Sequence, residues 1–241
     1  MNIKILLYLI FANFLFFYFF DYICNKLKIF SLSIYSKKEI YKNTPLTGGL
    51  FIILNFNSYF FLENINQQII HNYEILVILF VSNIFFILGY FDDRYNLRPL
   101  TKAIFFIVIC IFILNFYEFL IVTELRFSFS QRIFNLHHYS LIFTLFAIFV
   151  FINALNMFDG ISGHTGIYAI YVFVVFFVIS KNIIFMFSVI PLLIFLYFNL
   201  RNHFFIGNSG VYFLGSLMSF VVIFFYNSDM AINSDDIFLI M

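Results

Sequence analysis

The sequence predicts an all-α fold, a polytopic bundle of transmembrane helices, and three observations predict it. Of the 241 residues, 63% are hydrophobic and only 10% are charged. The mean hydropathy of +1.01 lies outside the range of a soluble globular domain. The apolar residues fall in runs of 16 to 20, close to the roughly 20 residues a helix needs to cross a bilayer. These runs lack the strict alternation of a membrane barrel, and backbone groups cannot be left unpaired in lipid, so they are helices.

Eight such runs occupy 3–20, 46–62, 75–91, 103–122, 140–157, 165–180, 183–198 and 211–226, and a ninth begins near Ile237 and is cut off at Met241. The run 3–20 is too long for the apolar core of a signal peptide and no small-residue cleavage pattern follows it, so it reads as a retained helix. TPLTGG (44–49) opens the second run, where Pro45 and the Gly48-Gly49 pair suit a helix start and close helix packing. GYFDDRYNLRPLTK (89–102) joins the third run to the fourth, NALNMFDGISGH (153–164) the fifth to the sixth, and FNLRNHFFIGNSG (198–210) the seventh to the eighth. Residues 1–241 read as a single integral membrane domain.

Charge sets the orientation. Nine of the thirteen basic residues (Lys26, Lys28, Lys37, Lys38, Lys42, Arg94, Arg98, Lys102 and Arg201) fall in the odd-numbered connections and four outside them. The positive-inside rule therefore puts the odd-numbered connections in the cytoplasm and the N-terminus outside. All four polar stretches then share one membrane face. A formal net charge of +1 offers nothing to attract nucleic acid. Cys24 and Cys110 are isolated in or beside apolar runs and read as packing residues, not a disulfide or metal pair. The forty-two Phe and the absence of Trp reflect compositional bias, with Phe standing where Leu or Val would serve.

Asp92 and Asp93 pose the sharpest question, since a carboxylate at the centre of a membrane helix costs about 2.5–3.5 kcal/mol, less near its end, and adjacent like charges add repulsion. A divalent cation, or Arg94, Arg98 or Lys102, would offset that cost, and such a pair could also serve as base or charge organiser beside a phosphate. Alternatively, DDR simply ends a helix at headgroup level. Asn153, Asn156 and Asp159 are spaced by three and line one helix face. Those groups suit Mg²⁺, a nucleobase, or an ordinary helix end that caps and turns. GNSG (207–210) could turn backbone N–H groups toward an anion, or Asn208 or Ser209 could cap the helix that follows. His137 and His138 fall on the opposite face, whereas His164 and His203 share the face of the four stretches.

Taken in order, TPLTGG, GYFDDRYNLRPLTK, NALNMFDGISG and FFIGNSGVYFLG resemble the successive cytoplasmic motifs of the polyprenyl-phosphate N-acetylhexosamine-1-phosphate transferases (glycosyltransferase family 4). That group includes the undecaprenyl-phosphate GlcNAc-1-phosphate transferases and the phospho-MurNAc-pentapeptide translocases. The resemblance runs from about residue 40 to the C-terminus. It implies transfer of a sugar 1-phosphate from a UDP-N-acetylhexosamine to a polyprenyl (undecaprenyl) phosphate at the cytoplasmic face of the inner membrane. UMP is released, Mg²⁺ is required, and the product serves cell-envelope polysaccharide.

By the same resemblance Asp92 and Asp93 are the catalytic pair, Asn156 and Asn208 the metal ligands, and Asn153, Asp159, Phe205 and Lys102 the substrate-binding residues. Asp159 and Phe205 would meet the uridine and Lys102 a phosphate. The lipid bilayer is the implied surrounding and a homodimer an allowed assembly. Three departures stand out. GNSGV replaces the usual GDxGS, so an expected aspartate is Asn208; DGISG replaces DGxDG, so Ser162 replaces a second carboxylate; and the ninth run stops short of the family's C-terminal helices. The alternative is a truncated or degenerate relative that binds nucleotide or lipid phosphate without turnover, or only packs in the membrane.

Overall fold

A computed structural model describes residues 47–65, 72–129 and 132–228, with the isolated helical positions 13, 18 and 22. Its helices are α1 (Gly48–Ile65), α2 (Asn72–Tyr95), α3 (Pro99–Phe116), α4 (Ser140–Phe158), α5 (His164–Ser180), α6 (Ile183–Leu200) and α7 (Gly207–Asn227). Helices α2, α3, α4, α6 and α7 are long and apolar enough to cross a membrane, and α5 is a shorter apolar helix. The fold is the all-α polytopic bundle that composition predicts. The run 3–20, apart from positions 13 and 18, the ninth run, Cys24 and residues 44–46 lie outside the described residues.

Helix α7 is the axis of the bundle. Every residue from Ser209 to Tyr226 is buried, as expected of a helix apolar on all sides. Its Ser216 and Ser219 hydroxyls donate to the carbonyls of Tyr212 and Gly215 at 2.7 Å, so neither is stranded in the core. Helix α2 lies along α7, and α1 and α4 flank it. Phenylalanines fill the spaces between: Phe176, Phe185 and Phe225 meet edge to face at 5.5–5.8 Å, a favoured aromatic geometry. Helix α3 sits on the rim, exposing Ile104, Phe105, Val108 and Phe112 while burying Cys110, which forms no disulfide.

The run expected as one helix over 103–122 is shorter and starts earlier. Pro99 begins α3 because its missing N–H is one the first helical turn cannot use. The helix stops at Phe116, a 3₁₀ turn follows at Glu118–Leu120, and β1 (Glu124–Arg126) pairs antiparallel with β2 (Ile133–Asn135). The β-branched stretch Ile121-Val122-Thr123 favours extended backbone, and the end of α7 captures it. Tyr226 Oη accepts from Arg126 N and donates to the Glu124 carbonyl, both at 2.9 Å. Asn227 Nδ2 donates to the carbonyls of Phe119 and Ile121 at 2.8 and 2.9 Å. His137 and His138 lie in a 3₁₀ turn at this same end of the bundle.

Candidate functional site

At the other end of α7, three connections and the start of α1 meet. Helix α2 ends where Asn96 adopts a left-handed conformation (φ 47°) and its N–H still bonds the Asp92 carbonyl at 2.9 Å. The chain then turns through extended Arg98 into Pro99. So short a turn brings Lys102, in the first turn of α3, back onto α2. Its Nζ lies 2.6 Å from Asp92 Oδ2.

Asp92 is enclosed. Its side chain has no exposed surface, and besides Lys102 its Oδ2 accepts from Asn208 Nδ2 at 2.9 Å and Tyr212 Oη at 3.2 Å. Its Oδ1 accepts from the Leu97 N–H at 3.1 Å. One carboxylate thus ties together α2, the α2–α3 turn, α3 and α7. Arg94 and Arg201 play no such part: Arg94 bonds the Tyr90 hydroxyl at 3.0 Å, and Arg201 stacks on the Tyr197 ring.

Asp93 faces the α7 N-terminus. Its Oδ1 accepts from the Asn208 N–H at 2.8 Å and its Oδ2 from the Ser209 N–H at 2.9 Å. Anions are favoured at helix N-termini by the unpaired N–H groups and the helix dipole, and here the anion is a carboxylate of the same chain. Two glycines permit the approach. Gly207 has φ +71°, and a Cβ there would lie 2.9 Å from Asp93 Oδ2. A Cβ on Gly89 would lie 2.5 Å from the Asn208 carbonyl oxygen and the Ser209 Cα. The first N–H groups of α1 also turn inward: Gly48 and Gly49 donate to the carbonyls of Phe205 and Ile206, each at 3.0 Å. Gly48 and Gly49 therefore prop the segment preceding α7.

Asp159 is the C-cap of α4, its N–H bonded to the Leu155 carbonyl at 3.0 Å. Its Oδ1 accepts from Thr165 Oγ1 at 2.9 Å. Burial pushes its carboxyl up to about 7, the Thr165 hydroxyl works against that, and the nearby Asp93 charge adds to it. The turn after it is strapped to α6: Gly163 N donates to Asn199 Oδ1 at 2.7 Å, and Asn199 Nδ2 donates to the Phe204 carbonyl at 3.0 Å.

The structure thus brings Asp92, Asp93, Lys102 and Asn208 into direct contact and sets Asp159 within electrostatic reach of Asp93. Phe205 is half-buried two residues before Gly207. Asn156 is half-buried one turn before Asp159. Asn153 stands apart, exposed, its Nδ2 donating to the Phe149 carbonyl of its own helix at 2.7 Å. His164 packs edge to face on Phe158 and His203 on Phe198. Sequence reasoning missed Tyr212, Thr165 and Asn199. Tyr212 had one legible signal, a hydroxyl one helical turn beyond Asn208 in an otherwise apolar run.

Among the described residues no three His, Cys, Asp or Glu side chains cluster as a metal cage. Two hard oxygen donors, Asp93 and Asp159, do lie within electrostatic reach of one another, and Asn208 bonds Asp93 through its N–H. Mg²⁺ uses few protein ligands and keeps the rest of its shell for phosphate and water, so this donor set fits it.

Comparison with curated proteins yields no match. Residues 75–226, from the start of α2 to the end of α7 and well over half the chain, match Glycosyl transferase family 4. That stretch includes Asp92, Asp93, Lys102, Asp159 and Asn208 with the three connections that gather them. The chain belongs to Glycosyl transferase family 4, and its kind of activity is transfer of a sugar phosphate to a polyprenyl phosphate.

Proposed function

We propose that this protein transfers N-acetylhexosamine 1-phosphate from a UDP-sugar to a polyprenyl phosphate at the cytoplasmic face of the inner membrane, releasing UMP, for cell-envelope polysaccharide. The observation that carries the reading is the meeting of Asp92, Asp93, Lys102 and the α7 N-terminus at one end of an apolar bundle, with Asp159 within electrostatic reach. A lipid phosphate arriving within the membrane and a nucleotide arriving from water can meet at such an end. In the reaction an oxygen of the lipid phosphate bonds to the sugar-linked phosphorus, and the bond from that phosphorus to the oxygen bridging the two phosphates breaks. UMP leaves with the electron pair.

Asp93 has one N–H on each oxygen and so keeps acceptor capacity to orient the lipid phosphate or take its proton. Asp92, enclosed and holding four donors, positions Lys102 and Asn208 and does not itself react. Lys102, partly exposed, offers its remaining N–H bonds to a phosphate. Asp159 and Phe205 flank the uridine position. Asp93, Asp159, Asn156 and Asn208 would hold Mg²⁺, which supplies charge screening between two anionic substrates.

The test is release of UMP by the purified chain in detergent with UDP-GlcNAc, polyprenyl phosphate and Mg²⁺, which Asp93→Asn should abolish. No UMP from any UDP-N-acetylhexosamine, with protein shown to be folded, would overturn it. A second reading, a non-catalytic relative, is favoured by Asn208 and Ser162, which each leave the site one carboxylate short of the family pattern. Binding of UDP-sugar in calorimetry without turnover would support that reading.

A further inference from the structure

We propose that the hairpin between α3 and α4, at the end of the bundle opposite the aspartates, is a membrane seat that rests in the headgroup boundary of the bilayer. Its outward surface sets large apolar side chains among exposed polar ones: Phe129 is 82% exposed, Tyr139 72%, Ile133 55% and Phe134 51%, beside exposed Ser128, Arg132, Asn135, His137 and His138. That surface continues the sides of the two helices it joins, where Phe112 and Phe116 at the end of α3 and Ile142 and Phe146 at the start of α4 are also exposed. Both helices belong to the membrane-crossing set, so the hairpin stands where their lipid-facing sides end.

Two facts fix the depth. In the two-stranded sheet Tyr226 takes the outer edge of β1, but among the described residues no further strand lies beside β2, and an open strand edge cannot enter hydrocarbon. The exposed aromatic and aliphatic side chains, in turn, gain by leaving water, and aromatic residues concentrate at the boundary between the two. Charge contributes little, because Glu118 and Glu124 balance Arg126 and Arg132 across 117–139. The hairpin is also held in place, by the hydrogen bonds of Tyr226 and Asn227 and by Arg126 stacked on the Tyr226 ring at 4.6 Å. The central helix therefore ends in a platform that sets its height relative to the bilayer surface.

The chain has no Trp, so Phe129→Trp in the full chain introduces a sole reporter at an open position. In lipid nanodiscs, whose two faces are both open to solvent, its emission should be blue-shifted from that of an indole in water and protected from iodide. It should be strongly quenched by lipids brominated near the headgroup end of the acyl chain, and unchanged when salt is raised. Phe134→Trp should report the same from the outer strand, which keeps the test intact if one variant does not fold. Emission and iodide quenching like those of free indole would overturn the proposal. So would protection without bromine quenching, the result expected if another segment or a second copy of the chain covers the hairpin.

Discussion

Removing the Lys102 ammonium while leaving Asp92 in place isolates the bond on which the site's shape depends. In Lys102→Met the Asp92 carboxylate, with no exposed surface, loses its one cationic partner at 2.6 Å and keeps three neutral donors, Leu97 N, Asn208 Nδ2 and Tyr212 Oη. Breaking a buried ion pair on one side costs about 3–5 kcal/mol, and the three surviving hydrogen bonds place this case near the lower figure, about 3 kcal/mol. Asp92→Asn is milder: the ammonium, 27% exposed, can turn to water, and the loss is the roughly 1.5–3 kcal/mol of a hydrogen bond to a charged acceptor. In the double variant no unpaired charge remains, so its destabilisation should fall short of the sum of the singles by about 1–3 kcal/mol. The assay is unfolding of the chain in detergent micelles by titration with a denaturing detergent, followed by helical circular dichroism. Additive losses would refute the argument, because they would mean that Lys102 and Asp92 do not depend on one another.

Gly89→Ala should loosen α2 from α7, since the added methyl would sit 2.5 Å from backbone atoms that cannot rotate away; overpacking of that kind costs about 1–3 kcal/mol or more, and UDP-sugar affinity should fall with stability. Gly160→Ala, whose methyl would meet only the Met157 carbonyl at 3.3 Å, should be far better tolerated in the same measurements. Tyr212→Phe removes one hydrogen bond to Asp92 and should cost about 1.5–3 kcal/mol in the same micelle titration, the figure for a bond to a charged group. For Asp159 the pKa rises from an ordinary 3.8 to about 7 on folding, so the folded chain holds the proton longer and stability should fall as pH rises from about 4 to about 7. Asp159→Asn should flatten that part of the thermal-unfolding profile; an unchanged slope would count against the burial of this carboxyl.

Asn208 shows why a familiar motif carries different physics here. An aspartate at this position would face Asp92 across 2.9 Å and leave the corner with one uncompensated negative charge. With an amide, Asp92 and Lys102 balance each other and Asn208 adds a donor, so the corner is neutral without help from a bound ion. The remaining negative charge of the site gathers on Asp93 and Asp159, where the cation would be held.

The apolar runs by themselves determined that the chain is a membrane helix bundle, because hydrocarbon leaves a backbone of that composition no other way to pair its N–H and C=O groups. The order of the polar stretches, one at every second connection, determined that they would lie at one end, because successive crossings alternate in direction. Asp92, Asp93, Lys102 and Asn208 could be named from their sequence positions for that reason. Only the tertiary structure decided what each of them touches. The contacts of Asp92 and Asp93 differ because adjacent residues on a helix point about 100° apart: one carboxylate turns into α3 and α7 and is enclosed, and the other meets the α7 N-terminus with capacity to spare. The hairpin was hidden for a related reason. Tyr226 holds β1, and Asn227 the segment leading into it, from about a hundred residues away, and a local apolar pattern carries no record of a partner so distant.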